Sequence, residues 1–308
     1  MSQAAKRPAG GRGKISKCCY GGGTMADIIN IAISLVPGLS LNERILLEEA
    51  VSDLDDFASL GINDIEQLLR KRLRGRESYP AHRSILERAE EISRRLVPLE
   101  ARAVSFWDRE YPPQLRKVKT APYLLYIRGS FPDPELPQVA IVGTRRPSEK
   151  ARQAAFRLAA EFCLIGIPVV SGLAYGIDAA AHWGAVKTHS ATVAVLGTGI
   201  DHVYPRSNRT LAWKILEYDG AVISEKPPAS RIGTYDFPMR NRIIAALARG
   251  VILVQAPERS GALITAEWAA QYDRQVYVHA SGLEGDRGKG TRSLASDLSG
   301  ACTRITPL

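Results

Sequence analysis

From residue 139 onward, short and almost wholly apolar runs alternate with longer Ala-rich stretches whose apolar residues have helical spacing. The pattern predicts strands at 139–142, 168–170, 192–196, 221–223, 251–254 and 275–278, and helices at 149–164, 177–186, 208–218, 240–248 and 262–272. Strands this apolar occur where helices cover both faces of a parallel sheet. Residues 138–308 are therefore predicted to form an α/β domain with a doubly wound, mostly parallel sheet.

The first third of the chain has helical spacing without intervening strands. Turn residues such as Pro37-Gly38 separate the helical segments, which are predicted at 41–47, 53–60, 65–73 and 85–96. Residues 25–96 are therefore predicted to form a small helical domain of the SAM-like or helix-hairpin-helix kind. The segment 97–137 has strand-and-turn character and is predicted to connect this domain to the α/β domain.

Charge is distributed unevenly along the 308 residues, whose formal net charge is +9. Residues 1–24 contain five basic residues and no acidic one, and they are predicted to be a disordered leader, with Met25 as an alternative start. Residues 25–66 contain nine acidic residues and one arginine, so this region is not expected to bind phosphate. Residues 226–249, with five basic side chains against Asp236 alone, are the better argument for an anionic partner.

Hydrophobic residues make up 45% of the sequence, which excludes disorder for the chain as a whole. The apolar run at 28–36 is too short to span a membrane and has no signal-peptide cleavage site after it, so no membrane association is predicted. The four cysteines include no C-x-x-C pair. They are interpreted as reduced thiols of a cytoplasmic protein, not as a disulfide framework or a zinc site.

Glycine-rich and polar loops follow the predicted strands. The carboxyl ends of parallel strands share one rim of the sheet, where open α/β folds bind ligands. Glycines let backbone N–H groups approach an anion, hydroxyls add donors, and Arg145, Arg240 and Arg242 offer planar guanidinium groups. The rim is therefore predicted to be a phosphate pocket, with Tyr204 and Phe237 as stacking platforms for bases. Its predicted residues are Gly143, Thr144, Ser171, Gly172, Gly176, Asp178, Gly197, Asn241, Ser260, Gly261 and Thr265.

Catalytic and metal-binding interpretations of these residues are weaker. Neither G-x-G-x-x-G nor a Walker A motif is present, which disfavours an ordinary NAD- or ATP-dependent enzyme. Asp178 and His182 share one helix face and suggest two metal ligands or, with Ser171, a hydrolytic triad, but two ligands do not complete a zinc site. A capping or packing role is favoured, and no catalytic residue, metal or cofactor is predicted.

Five motifs stand in order along the chain: V-A-I-V-G-T-R (139–145), V-V-S-G-L-A-Y-G-I-D-A-A-A-H (169–182), V-L-G-T-G-I-D-H-V-Y-P (195–205), F-P-M-R-N-R-I-I-A-A-L (237–247) and S-G-A-L-I-T-A (260–266). Over about 97–282 the chain thereby resembles the DNA-processing protein A (DprA/Smf) family. The resemblance implies an extended Rossmann-like domain that binds single-stranded DNA in a basic pocket, with Arg145, Phe237, Arg240 and Arg242 as DNA contacts. It also implies homodimers, loading of RecA onto DNA during natural transformation or related recombination, and no catalytic step.

The C-terminal part departs from the family pattern. Members usually have Pro-Gly after the sixth strand and Asn-x-Leu-Ile near the end, whereas this chain has Ser281-Gly282 and Arg292-Ser293-Leu294-Ala295, so the last wall of the pocket is in question. Because the chain ends at Leu308, the C-terminal winged-helix domain of many members is not expected. Two alternatives stay open. One is a nucleotide-binding enzyme of the lonely-guy phosphoribohydrolase kind, whose glycine-rich loop is faintly echoed from Ser260 to Glu267; the other is a structural or signalling module that has lost DNA binding.

Overall fold

The computed structural model describes residues 25–73, 80–133, 135–297 and 303–305, so the predicted leader at 1–24 lies outside the described residues. The nine strands that it describes form one sheet, in the order β1-β2-β6-β5-β4-β3-β7-β8-β9. They are β1 (Ala101–Ser105), β2 (Leu124–Gly129), β3 (Val139–Val142), β4 (Val169–Ser171), β5 (Thr192–Leu196), β6 (Ala221–Ser224), β7 (Gly250–Leu253), β8 (Gln275–His279) and β9 (Thr303–Ile305).

Neighbouring strands from β6 to β9 are parallel, whereas β1 pairs antiparallel with β2 and β2 antiparallel with β6. The chain proceeds outward from β3 to β6 and then returns, so that β7 pairs with the other side of β3. This reversal is the hallmark of a doubly wound sheet, and it opens a crevice beyond the carboxyl ends of β3 and β7. The predicted α/β fold with a mostly parallel, Rossmann-like sheet is confirmed.

The described α-helices are α1 (Met25–Leu35), α2 (Leu41–Ala50), α3 (Leu54–Ser59), α4 (Ile62–Leu69), α5 (His82–Leu96), α6 (Pro113–Arg116), α7 (Glu149–Leu164), α8 (Ile177–Lys187), α9 (Arg209–Glu217), α10 (Asp236–Leu247), α11 (Gly261–Gln271) and α12 (Lys289–Asp297). Helix α7 packs on α8 and α8 on α9, while α10 packs on α11. As expected for right-handed crossovers, α7, α8 and α9 cover one face of the sheet, and α10 and α11 cover the other.

Helix α10 begins at Asp236, four residues before the predicted start at residue 240. Proline at 238 does not prevent this, because the first turn of a helix has N–H groups without intrahelical partners. The Asp236 carboxylate accepts a hydrogen bond from the Gly233 N–H at 2.6 Å and forms an ion pair with Lys226. These two contacts fix the loop before the helix. The earlier start places Phe237 and Arg240 on one helix.

The N-terminal helices share a core with the sheet. Helix α1 packs on α5 and on β1 and β2. Its residues Ile31 and Ile33 are fully buried in the same hydrophobic cluster as Leu125 and Ile127 of β2. The predicted connecting segment 97–137 thus supplies two strands of the sheet, and the core runs continuously across residue 96. Both strands are short, and only β2 reaches the rest of the sheet, by pairing with β6, which is distant in sequence. Their pattern therefore did not indicate membership of the sheet.

Candidate functional site

The loops after β3, β4 and β7 converge with the first turns of α10 and α11 on one cleft of about 870 Å³. The cleft lies at the carboxyl ends of β3 and β7, where the strand order reverses. Ten of the residues predicted from the sequence line it: Gly143, Thr144, Arg145, Asp178, Phe237, Arg240, Asn241, Ser260, Gly261 and Thr265. An adjoining recess, which shares Arg145, Phe237 and Arg240 with the cleft, adds Gly172, Gly197 and Tyr204.

Aromatic rings and a guanidinium group stand together at the cleft. The side chain of Arg145 is exposed, and its Cζ lies over the Phe237 ring, 5.6 Å from the ring centroid. The ring of Tyr204, which is 44% exposed, is tilted by 49° against Phe237 with the centroids 5.6 Å apart. A Cβ at Gly197 would lie 2.8 Å from Phe237 Cδ1, so glycine leaves the space that the ring occupies. An accessible ring beside a positive charge suits a nucleobase and its phosphate.

Arg240 forms part of the buried floor of the cleft and ties two strand ends together. It is 7% exposed and donates from Nη1 to the carbonyl oxygens of Gly172, at 2.7 Å, and Val195. Burial lowers the pKa of Arg240 to about 10. Burial likewise raises the pKa of Asp178, against the opposing effect of the Arg240 charge and of hydrogen bonds donated by the backbone of Ala174 and Gly172. Arg240 and Asp178 are thus buried on either side of Gly172, and their contacts with its backbone position the loop after β4.

Two glycines permit this close packing. A Cβ at Gly172 would lie 2.5 Å from Arg240 Nη2 and 2.7 Å from Asp178 Oδ2, so no side chain fits there. Gly176 has a φ of +78° and precedes the first residue of α8, a conformation that favours glycine. A Cβ at Gly176 would also approach the carbonyl oxygen of Thr144, so the loops after β3 and β4 touch at this position.

The N-terminus of α11 forms another side of the cleft. Ser260 caps the helix, its Oγ accepting the N–H of Ala262 at 3.3 Å. Gly261 faces open space, and Asn241 Nδ2 donates to its carbonyl oxygen at 2.9 Å, which joins α10 to α11. Thr265, one turn further along, is buried in the wall. The first turn of α11 thus directs backbone donors and its positive dipole end toward the cleft.

Three predicted residues lie outside the lining of the cleft and its recess. Gly176 lies where the loops after β3 and β4 touch, as described above. Ser171 is fully buried and donates from Oγ to the Ile141 carbonyl oxygen at 2.7 Å, which joins β4 to β3. Arg242 is 7% exposed and donates from Nη2 to both carboxylate oxygens of Glu225, at 2.7 and 2.8 Å. Its Nη2 is thereby engaged by the protein, whereas its buried Nη1 has no hydrogen-bond partner among the described residues.

The suggested triad does not assemble. Ser171 donates to a backbone carbonyl, and Asp178 accepts from backbone N–H groups, so neither activates the other. His182 is fully buried, and its Nδ1 lies 3.0 Å from Thr192 Oγ1. Burial lowers the pKa of His182 to about 3, which keeps the ring neutral. These contacts support the predicted packing roles.

Two further arginines line the cleft that the sequence prediction did not include. Arg146 follows Arg145 in the loop after β3, and Arg287 lies in the loop between β8 and α12. Both side chains are exposed. The sequence did contain one indication of Arg287. The carboxyl end of β8 lies at the same rim as those of the other parallel strands, so the loop after β8 was a candidate wall of the cleft.

Metal ligation and membrane insertion find no support in the described part of the chain. Among those residues, no group of three or more His, Cys, Asp or Glu side chains is arranged to hold a metal ion. None of the described helices is both long enough and apolar enough to cross a membrane.

Known proteins are similar to this chain in sequence and in structure. The DNA processing protein DprA of Bacillus subtilis is 34% identical over 243 residues, which cover 79% of this chain and 75% of that protein. The X-ray structure of DNA processing protein A from Streptococcus pneumoniae matches with a TM-score of 0.67 at 30% identity, covering 92% of this chain and 94% of that one. DNA processing protein A from Helicobacter pylori, whose structure concerns its single-stranded DNA binding mode, matches with a TM-score of 0.58 at 27% identity, covering 66% of this chain and 90% of that one.

The family model described as DNA recombination-mediator protein A matches residues 102–307, which include β2 to β8, the cleft and all five ordered motifs. This match spans more than half of the chain and agrees with the relatives above. The chain belongs to the DNA recombination-mediator protein A (DprA/Smf) family.

Proposed function

We propose that the cleft binds single-stranded DNA and that the protein mediates recombination through this binding, without catalysing a reaction. The observation that carries the proposal is the Phe237 ring beneath the Arg145 guanidinium, with Tyr204 next to it in the adjoining recess. In a duplex the base faces are already stacked on one another, so an aromatic platform serves unpaired bases. The single-stranded DNA binding mode of the Helicobacter pylori relative supports this choice of ligand.

The backbone of the strand has donors next to this platform. The first turn of α11 offers N–H groups around Gly261, where no atom would obstruct even a Cβ. Arg145 is exposed, and no carboxylate among the described residues lies within ion-pair distance of it. A phosphate at this place would therefore gain charge-assisted hydrogen bonds without breaking an existing ion pair.

Phosphoribohydrolase activity is the less favoured alternative. Glu267, the acidic residue in the faint echo of that family's loop, is exposed and does not line the cleft. The buried Ser171, Asp178 and His182 are each engaged in packing contacts. A binding role fits these residues without assigning chemistry to any of them.

The finer parts of the proposal follow from the family. We expect the protein to act as a homodimer in the cytoplasm and to load RecA onto single-stranded DNA covered by single-strand binding protein. A kinetic assay of RecA ATP hydrolysis on such covered DNA tests the loading step: wild-type protein should shorten the lag, and Arg145→Ala should not. Light scattering of the purified protein checks the dimer.

Fluorescence anisotropy with a labelled oligo-dT across a salt series tests DNA binding. Binding should weaken as salt rises, because phosphate contacts release counterions. Arg145→Ala should weaken it about tenfold, since it removes both a phosphate contact and a charge at the aromatic platform. Arg249→Ala is the matched control, because Arg249 is exposed but lies before β7, at the opposite rim of the sheet. Absence of binding at low salt, or equal effects of the two substitutions, would refute the assignment of the cleft.

A further inference from the structure

Arg287 stands on a wall of the cleft that the family motifs do not describe. Its side chain is exposed, and its Nη1 donates to the Pro147 carbonyl oxygen at 3.1 Å. This bond brings the loop between β8 and α12 to the loop after β3, which carries Arg145 and Arg146. Both Arg146 and Arg287 line the cleft. Two guanidinium groups from distant parts of the chain therefore line the same cleft, with Arg287 bonded to the loop that carries Arg146.

The loop that carries Arg287 is closely packed. Gly282 lies so near the Val254 carbonyl group that no Cβ fits, and a Cβ at Gly290 would lie 2.5 Å from the Pro257 carbonyl oxygen. Arg292 donates from Nη1 to the carbonyl oxygens of Leu283 and of Gly285, the latter at 2.9 Å. The loop is thus held by contacts with the segment after β7 and by the Arg292 side chain, and a ligand bound by Arg287 would not have to order it.

The acidic residues of the same loop are already paired. Asp286 Oδ1 lies 3.2 Å from Lys289 Nζ, and Glu284 Oε1 lies 2.7 Å from Lys150 Nζ. By contrast, within the described ranges neither Arg146 nor Arg287 has a carboxylate within ion-pair distance. Two positive charges without a counter-charge repel each other, whereas both attract an anion that binds between them.

We propose that Arg146 and Arg287 together bind a second backbone phosphate of the single strand, separate from the position at Arg145, Phe237 and the α11 N-terminus. This inference rests on the proposed function of the cleft and adds a minimum length for the strand that the cleft binds. The strand occupies the cleft with at least two successive phosphates, one on each position. Arg287 lies between Ser281 and Arg292, the two places where this chain departs from the family pattern.

The test uses the full chain and a set of short oligo-dT probes of six nucleotides, each with one linkage replaced by a neutral methylphosphonate. Wild-type protein should lose affinity when the linkage bound by Arg146 and Arg287 is neutralised. In Arg287→Ala, binding of the unmodified probe should fall about fivefold to tenfold at low salt, and the salt slope should decrease by about 0.7. The variant should then be insensitive at that same linkage, because the contact is already absent. Arg146→Ala should be insensitive there too.

Arg249→Ala is the matched control, since Arg249 is exposed, lies before β7 at the opposite rim of the sheet and does not line the cleft. It should retain wild-type affinity and slope. The inference is overturned if Arg287→Ala binds like wild type, if it remains sensitive at every linkage, or if Arg249→Ala loses as much. Where Arg145→Ala is impaired and Arg287→Ala is not, only the second phosphate position fails. Where wild type does not bind the probe at all, the proposed function fails with it.

Discussion

The rim of the sheet has two layers that use arginine in opposite ways. In the exposed layer, Arg145, Arg146 and Arg287 line the cleft, and none has an ion-pair partner among the residues described. In the buried layer, Arg240 donates to two carbonyl oxygens beside Asp178, and Arg242 donates to Glu225. All five carry the same planar guanidinium donors, so the difference lies in burial and in whether a carboxyl group lies beside them. Buried guanidinium groups beside a carboxyl group hold the fold, and exposed ones without such a partner are available to a ligand.

The largest effect is expected in the buried layer. Arg240→Met leaves the Asp178 carboxyl buried without its counter-charge, and the free energy of unfolding should fall by roughly 3–5 kcal/mol. Urea denaturation measures this loss. Asp178→Asn combined with Arg240→Met removes both charges and should recover part of it. A single variant as stable as wild type would show that the pair does not support the fold.

Phe237 tests the exposed layer. Phe237→Ala should weaken binding of oligo-dT about 10- to 100-fold, because a base loses its stacking surface. Phe237→Leu keeps an apolar side chain beside Gly197 but removes the ring, and it should bind as weakly as the alanine variant. Anisotropy measures both. If the leucine variant binds like wild type, apolar packing and not stacking explains the role of this residue.

Arg242 is the sharpest test of the comparison, because it belongs to the same motif as Arg240 and was predicted as a DNA contact. Arg242→Ala should lower the free energy of unfolding by roughly 1–3 kcal/mol, since it removes a charged hydrogen bond between a buried guanidinium and the exposed carboxylate of Glu225. Its DNA affinity should stay within about twofold of wild type. A double-mutant cycle with Glu225→Gln assigns the stability loss to the pair. A loss of affinity equal to that of Arg145→Ala would place Arg242 in the exposed layer instead.

Acid should destabilise the fold through the buried His182. His182 has a pKa lowered to about 3 by burial, against 6.5 for the ordinary side chain. Its contribution to stability is therefore complete above pH 6.5 and is lost as the pH falls toward 3. The free energy of unfolding should decrease by about 1 kcal/mol for the first pH unit below the ordinary pKa.

Denaturant titrations at several pH values measure this slope. His182→Asn should flatten it, and His189→Asn, which changes an exposed side chain on the same side of the sheet, should leave it as in wild type. Equal slopes in all three proteins would mean that other groups determine the acid response.

The parallel strands and the rim could be predicted from the sequence because apolar runs and glycine-rich loops are local signals. The division between Arg240 and Arg242 could not. Residues two apart on a helix point about 200° apart, so the two side chains cannot both face the cleft once α10 continues through them. The predicted helix at 240–248 already contained both residues, but the sequence did not show which of its faces meets the cleft.

Arg287 illustrates the other limit of sequence reasoning. It lies in a loop without hydrophobic periodicity, and its position depends on glycine contacts between that loop and the segment after β7. The same holds for β1 and β2, which join the sheet through pairing with β6, far along the chain. Long-range packing of this kind leaves no repeating pattern from which to predict it.

The core that α1 shares with β2 restricts how evolution or an experimenter can divide this protein. A fragment beginning at residue 97 would retain every residue of the cleft, yet it would present the apolar surface beneath Ile31 and Ile33 to water. Such a surface invites association with any other apolar surface. A helical region from a relative could replace α1 to α5 only if its inner face matched β2, so the two parts are constrained to change together.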